Sequence, residues 1–370
     1  MKIINIVGAR PNFMKIAPIL RAYQAHERIE ALLVHTGQHY DRRMSESFFD
    51  HLEIRDPDIN LEVGSGSHAI QTAEIMRRFE PVVLEHKPDV VLVVGDVNST
   101  IACGLVAVKL GVRLVHVEAG LRSFDRTMPE EINRLLTDAI SDLLLCSEQS
   151  GVDNLLKEGV DPDKIVLVGN VMIDSLIHGR PRTMQSPVLK DLSLEEGRYA
   201  VLTLHRPSNV DDPAVFAGIL DALDVVQRQM PVIFPIHPRT RKNLENGSLH
   251  GRVVRMNNLR LEEPLGYLDF GRLVAGARIV LTDSGGIQEE TTYLGIPCLT
   301  LRENTERPST VECGSNRIVG VKTERIIEAF ERVMAGDSGG GQAPPLWDGH
   351  AAERIAQVLL DRYDRHQENG

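Results

Sequence analysis

Short apolar runs rich in Val, Ile and Leu recur along the chain, with helix-length amphipathic stretches between them. In the first half they fall at residues 3–7, 31–36, 90–94, 114–117, 143–147 and 165–168; in the second at 199–204, 232–236, 253–256, 279–281 and 298–301. Near-continuous apolar strands are buried on both faces, and strands alternating with helices form parallel sheets, so the pattern predicts an α/β chain. A polar, proline-bearing stretch between the two series, 180–186 followed by Pro187, predicts a linker. The expected architecture is two doubly wound parallel-sheet domains, 1–179 and 180–350, facing each other across a cleft. The glycine-rich stretch 336–341, followed by Pro344 and Pro345, predicts a surface loop. Residues 351–363 predict an amphipathic helix, and the terminal segment 351–370 is expected to pack back on the first domain.

Composition narrows the function classes. At 370 residues, 42% hydrophobic and 25% charged, the chain is long enough for two cored domains. No apolar run approaches the roughly 18 residues of a membrane span, and the opening MKIINIVGARPNF passes straight into a strand pattern, so a cytoplasmic protein with no membrane partner is expected. A net charge of −11 without any Lys/Arg-rich run argues against nucleic-acid partners, and 4% aromatic residues supply no stacking platform. Cys103, Cys146, Cys298 and Cys313 lie far apart with no C-x-x-C pair, which indicates neither a zinc site nor a disulfide framework.

In open parallel sheets ligands bind beyond the carboxyl ends of the strands, so the residues after each strand carry the chemistry. There the chain turns polar: Gly8-Ala9-Arg10-Pro11, Gly95-Asp96 and Glu118-Ala119-Gly120 in the first half, His205-Arg206, His237-Pro238-Arg239 and Asp283-Ser284-Gly285-Gly286 in the second. Gly8 lacks the second and third glycines that let a dinucleotide pyrophosphate approach the backbone, which disfavours NAD. The segment Asp283-Ser284-Gly285-Gly286 opens a helix over 286–294 whose free N–H groups and positive dipole end suit a diphosphate, although the same residues also suit an ordinary N-cap. Glu290, one turn on, is placed to accept hydrogen bonds from ribose hydroxyls.

An anionic ligand on a chain of this charge needs local cations. Arg10, Lys15 and Arg307 lie just outside a predicted strand or in the helical turn after it, though each alone also reads as a surface cation. His205 and His237 follow strands of one domain, which tips them toward ligand contact over satisfied cap or core histidines. Phe270 joins them as a candidate substrate contact. Asp96, Glu118 and Glu130 form an acidic set: the first two end adjacent strands, and Glu130 opens the helix after Met128-Pro129, where it and Glu131 also suit a purely structural charge-dipole role. Carboxylates sharing a site push one another's pKa apart, as acid and base roles require. A metal is the rival use of clustered carboxylates, and the missing D-x-D and H-E-x-x-H spacings lower it.

At these residues the chain resembles the non-hydrolysing UDP-N-acetylglucosamine 2-epimerases. The likeness rests on GARPNFMKIAP at 8–18, VGDVNST at 94–100, HVEAGLRSFDRTMPEEINR at 116–134, LHRPSNV at 204–210, IHPRT at 236–240, LTDSGGIQEE at 281–290 and ENTERP at 303–308, and it covers nearly the whole chain. The resemblance implies two Rossmann-like domains of the GT-B type, a homodimer, and interconversion of UDP-GlcNAc and UDP-ManNAc without NAD or metal. It would place UDP on Arg10, His205, Ser284, Gly285, Gly286 and Arg307, its ribose on Glu290, Lys15 near the leaving phosphate, and proton transfer on Asp96, Glu118 and Glu130, with His205 also in the catalytic set. The implied route expels UDP from C1 to give a 2-acetamidoglucal, then adds UDP back with a proton delivered to the opposite face of C2. Precursors for surface polysaccharide are the implied product.

Family members with an activator site for a second UDP-GlcNAc carry another Gln soon after the Gln-His pair and an Arg-Arg-Glu run after the strand histidine. Here Gln38-His39 is followed by Tyr40-Asp41-Arg42, and His205-Arg206 by Pro207-Ser208-Asn209, so the chain departs from the activator-bearing pattern at both places. A hydrolysing relative, an epimerase of a UDP-diacetamido-uronic acid, a retaining glycosyltransferase and a sugar-nucleotide sensor are the competing readings.

Overall fold

The computed structural model describes residues 1–38, 53–245, 249–337 and 341–363, apart from the Arg10 side chain. The chain divides into two compact units, one of Met1–His178 with Pro345–Gly370 and one of Gly179–Pro344.

The first unit is built on a parallel sheet of β1 (Lys2–Val7), β2 (Glu30–His35), β3 (Ile59–Asn60), β4 (Val90–Val94), β5 (Arg113–Val117), β6 (Leu143–Cys146) and β7 (Ile165–Leu167), in the order β3-β2-β1-β4-β5-β6-β7. Ile3, Ile4 and Val90 to Val93 are fully buried, which is why these strands read as near-continuous apolar runs, broken in β1 only by the buried Asn5. The strand order reverses between β1 and β4, so the ends of these two strands flank the switch point at which such sheets bind ligands. Asn12 ties them together: its Oδ1 accepts from the Gly8 and Ala9 amides and its Nδ2 donates to the Val94 carbonyl. Gly120 has φ +80°, and a Cβ there would stand 2.2 Å from the Gly151 carbonyl oxygen, so only glycine lets the turn after β5 pack on the helix Gln149–Lys157.

The second unit repeats the plan with β8 (Ala200–Thr203), β9 (Val232–Pro235), β10 (Leu259–Glu262), β11 (Ile279–Thr282), β12 (Cys298–Thr300) and β13 (Asn316–Ile318), ordered β10-β9-β8-β11-β12-β13 and parallel throughout. Its order reverses between β8 and β11, whose ends carry His205-Arg206 and Asp283-Ser284.

Two local expectations are corrected. The run 253–256 is no strand: Val253 closes the short helix His250–Val253, and the sheet edge is β10 a few residues on. Nor is 180–186 an irregular linker at its start, because the helix Val171–Thr183 continues through Pro181. After Pro345 the chain rejoins the first unit. There the Trp347 indole donates to the Ser147 carbonyl, and Asp174 accepts from the Ala351 and Ala352 amides at the start of the helix Ala351–Tyr363, which packs on the helix Arg10–Tyr23. Of the predicted glycine-rich loop, residues 338–340 lie outside the described residues.

Candidate active site

In the first unit Lys15, on the helix Arg10–Tyr23, reaches the turn after β5: its Nζ lies 2.5 Å from Glu118 Oε2, with both side chains buried. Glu118 holds φ +72°, left-handed backbone that costs a non-glycine residue about 1–3 kcal/mol and recurs at functional sites. A Cβ on Gly95 would come within 2.8 Å of the Lys15 ammonium, so this glycine leaves room for the ion pair.

Asp96, two residues past the end of β4, is paired with Arg134 at 2.7 Å. The other arm of Arg134 holds Glu131 at 2.6 Å. Glu131 in turn accepts from the Ser123 amide and hydroxyl and the Phe124 amide, and Asn133 donates to the Asp96 carbonyl. The two acids that open the helix Pro129–Ile140 are thereby told apart: Glu131 is buried and braces the loop 120–128, whereas Glu130 stays half-buried and makes no side-chain hydrogen bond or ion pair among the described residues. Arg10 begins its helix, and its side chain lies outside the described residues.

In the second unit Asp283 is fully buried at the end of β11 and turned toward the β8 turn. It accepts from the amides of His205 and Arg206 and from Asn209 Nδ2, and pairs with His205 Nδ1 at 2.8 Å. Burial alone would raise this carboxyl; the hydrogen bond and charge of His205 and the two amides outweigh it and hold it below the usual carboxylate range. Asp283 is therefore a brace for His205 rather than part of a cradle. His205 itself is exposed, and the His237 ring lies 6.4 Å from it. Partial burial, then the neighbouring His205 and Arg239, lower the pKa of His237.

Ser284 occupies the N-cap of the helix Gly285–Leu294 with extended backbone, yet its hydroxyl makes no capping hydrogen bond. The N-cap alternative is thus not how this side chain is used. Around the turn stand Arg307, paired with Glu289 at 2.8 Å and Glu306 at 3.0 Å, and Arg302, paired with Glu306 at 2.8 Å. Arg206 adds a third guanidinium 3.8 Å from Glu306. Three arginines thus converge beside a helix N-terminus, whose free amides and positive dipole end suit an anionic group. A Cβ on Gly285 would meet Glu306 and Arg307 at 2.8 and 2.9 Å. Sequence reading singled out Arg307 and passed over Arg206 and Arg302.

Glu290 is buried on the next turn of that helix, and burial, with Glu289 beside it, pushes its carboxyl up to about 7. Phe270, on the helix Tyr267–Ala275, is half-buried against the apolar cluster of Val188, Leu189 and Leu273. Among the described residues no three His, Cys, Asp or Glu converge as metal ligands, and no helix is long and apolar enough to cross a membrane.

Residues 21–360 match the family described as UDP-N-acetylglucosamine 2-epimerase. The chain belongs to this family. The UDP-N-acetylglucosamine 2-epimerase of Methanocaldococcus jannaschii is 41% identical over 366 residues, 97% of this chain and 99% of that protein. The crystal structure of that enzyme in complex with UDP-GlcNAc and UDP superposes with a TM-score of 0.89, covering 98% of this chain and 100% of the other. The UDP-2,3-diacetamido-2,3-dideoxy-D-glucuronate 2-epimerase of Pseudomonas aeruginosa is 42% identical over 97% of this chain and 99% of its own length. As in the solved epimerases, the architecture is a pair of parallel α/β sheets of the GT-B kind. Of the two places where this epimerase-family chain departs from the activator-bearing pattern, His39 to Arg42 lie outside the described residues. The other, Pro207–Val210, is a single helical turn whose Asn209 joins Asp283 to the Leu301 carbonyl.

Proposed function

We propose that this chain interconverts UDP-GlcNAc and UDP-ManNAc reversibly, by eliminating and re-adding UDP, without hydrolysing the sugar nucleotide. The observation that carries the reading is the pairing of two chemistries in one family member: acids at the strand ends of the first unit, and an arginine cluster at a helix N-terminus in the second. The C2 hydrogen of the sugar has no carbonyl beside it, so direct removal is prohibitively slow. In the proposed route a base takes that proton, the C1–O bond to phosphate breaks, and the electron pair closes the C1=C2 bond of a 2-acetamidoglucal. UDP then adds back at C1 while an acid protonates the other face of C2.

In this assignment Asp96, Glu118 and Glu130 move protons, and Lys15 and Arg10 steady the departing charge. Arg307, His205, His237 and the Ser284-Gly285-Gly286 turn hold UDP, with Glu290 on its ribose and Phe270 beside the ligand. A supply of precursors for surface polysaccharide, by a cytoplasmic homodimer, completes the reading. A second substrate has a specific observation in its favour: the Pseudomonas relative acting on a UDP-diacetamido-glucuronate is as similar as the archaeal UDP-GlcNAc enzyme.

Incubation with UDP-GlcNAc in deuterated water, followed by NMR, tests the proposal. Deuterium at C2 together with an equilibrating UDP-ManNAc signal is expected. Free ManNAc accumulating with UDP would indicate hydrolysis instead. Exchange confined to UDP-2,3-diacetamido-2,3-dideoxy-glucuronate would transfer the reading to that substrate, and exchange in neither would reject it.

A pH effect follows from Glu290. Ribose hydroxyls donate to the ionised carboxylate, so binding favours the charged form and lowers its pKa from about 7. Affinity for UDP-GlcNAc, whose phosphates stay ionised throughout, should therefore fall as pH drops below 7, approaching about tenfold per unit, and level off above 8. Calorimetry at pH 6, 7 and 8 reads the slope, and Glu290→Gln should remove it.

A further inference from the structure

Asp138 has no place in the chemistry above, yet it joins both turns that carry the proposed acids. It lies on the buried face of the helix Pro129–Ile140. Its Oδ1 stands 2.6 Å from His116 Nδ1; its Oδ2 accepts from the Gly120 amide at 3.1 Å and pairs with Arg122 Nη1 at 2.7 Å. His116, fully buried within β5, carries the connection to the neighbouring strand: its Nε2 is 2.9 Å from the carbonyl oxygen of Gly95, the residue before Asp96. Arg122 continues outward to Glu158 through paired contacts of 2.7 and 2.8 Å.

Both ring nitrogens of His116 face oxygens. The carbonyl of Gly95 only accepts, so Nε2 must carry a proton. The carboxylate of Asp138 also only accepts when ionised, and that form is favoured by the Arg122 guanidinium at 2.7 Å and the Gly120 amide at 3.1 Å, both on its Oδ2. Nδ1 must then be protonated as well. A buried network of this kind contributes little net stability against apolar packing. Its physical yield is geometry: one carboxylate sets the turn before Asp96 through His116, and the turn after Glu118 through Gly120 and Arg122.

We infer that Asp138 is a positioning residue for both proposed acid/base groups, acting on the Asp96 turn through a doubly protonated His116. The effect on turnover rests on the epimerase reading; the state of the ring does not. Nitrogen-15 NMR of imidazole-labelled full-length protein at pH 7.5, assigned with His116→Gln, should show two N–H groups on His116 and only one in Asp138→Asn. A single N–H in the unsubstituted protein overturns the proposal whatever the substrate.

The kinetic arm compares two amides. Glutamine places its amide nitrogen near the Nε2 position and can still donate to Gly95, whereas asparagine reaches only as far as Nδ1. His116→Asn should lower kcat at least about tenfold, and His116→Gln, which keeps the tie to Gly95 but loses the one to Asp138, should cost several-fold less, because small misplacements of reacting groups are costly. KM and the Kd for UDP should hold within about twofold in both, since the proposed UDP contacts other than Arg10 and Lys15 lie in Gly179–Pro344. Equal losses in the two variants, or a rise in KM with kcat intact, would count against positioning. Absence of any C2 exchange in the unsubstituted enzyme would refute the epimerase reading, and the NMR arm would still decide this one.

Discussion

Asp96→Asn is expected to cut turnover by about 100- to 10,000-fold while leaving UDP affinity within a few-fold of the parent, the span over which a positioned acid or base acts. The substitution is close to isosteric and spares the fold. Arg134, which holds Asp96 at 2.7 Å, keeps its second partner Glu131 at 2.6 Å, and the asparagine carbonyl can still accept from it. What disappears is the carboxylate's capacity to take or give a proton. Asp96 has the exposure for the task, with 22% of its side chain open to solvent against 5% for Glu118. Steady-state epimerisation and C2 deuterium exchange should fall together. Near-normal exchange in a folded variant would remove Asp96 from proton transfer and leave that work to Glu118 and Glu130.

Most of this arrangement is written in the apolar pattern, and where it misleads the cause is local. Strands at sheet centres, such as β1, β4 and β11, are buried on both faces and announce themselves as near-continuous Val, Ile and Leu runs. Edge strands do not. β10 reads Leu-Arg-Leu-Glu, half-buried at the sheet margin, while nearby Val253, which closes a helical turn, and Met256, just after it, present a stronger apolar signal because both pack into the core. Apolar content marks burial, and only the alternation over 259–262 distinguished strand from turn.

The site was legible as composition at strand ends and illegible as pairing. The reading of Asp283-Ser284-Gly285-Gly286 as one cradle merged two roles: Asp283 faces His205 from beneath, and the anion-attracting groups begin at Ser284. Glu130 and Glu131 are identical in type and adjacent, so their division into a half-buried acid and a buried brace depends on which side of the helix meets the core. A usable signal did exist. Glu131, Arg134 and Asp138 follow helical spacing on one buried face, and His116 interrupts an apolar strand; charges placed where water is excluded must find partners.

Arg307→Ala should give the largest effect in the second unit, through two separable losses. The guanidinium bridges Glu289, 1% exposed, and Glu306, 4% exposed, and removing one member of a buried ion pair costs about 3–5 kcal/mol because the remaining charge stays out of water. Thermal unfolding should therefore begin at clearly lower temperature. The second loss concerns the ligand: with Arg307 gone, the guanidinium that lies against Gly285 is lost, and affinity for UDP should drop more than about 100-fold, or roughly 2.8 kcal/mol. Arg307→Lys separates the terms. It keeps the charge but not the planar fork that meets Glu289 through Nε and Glu306 through Nη1, so stability should recover in part while UDP affinity stays at least about tenfold down. Calorimetric titration at 10 °C, where the variants remain folded, measures the second loss without the first. A folded Arg307→Ala protein that binds UDP within threefold of the parent would make Arg307 scaffold alone, and would leave the diphosphate to the helix N-terminus with Arg206 and Arg302.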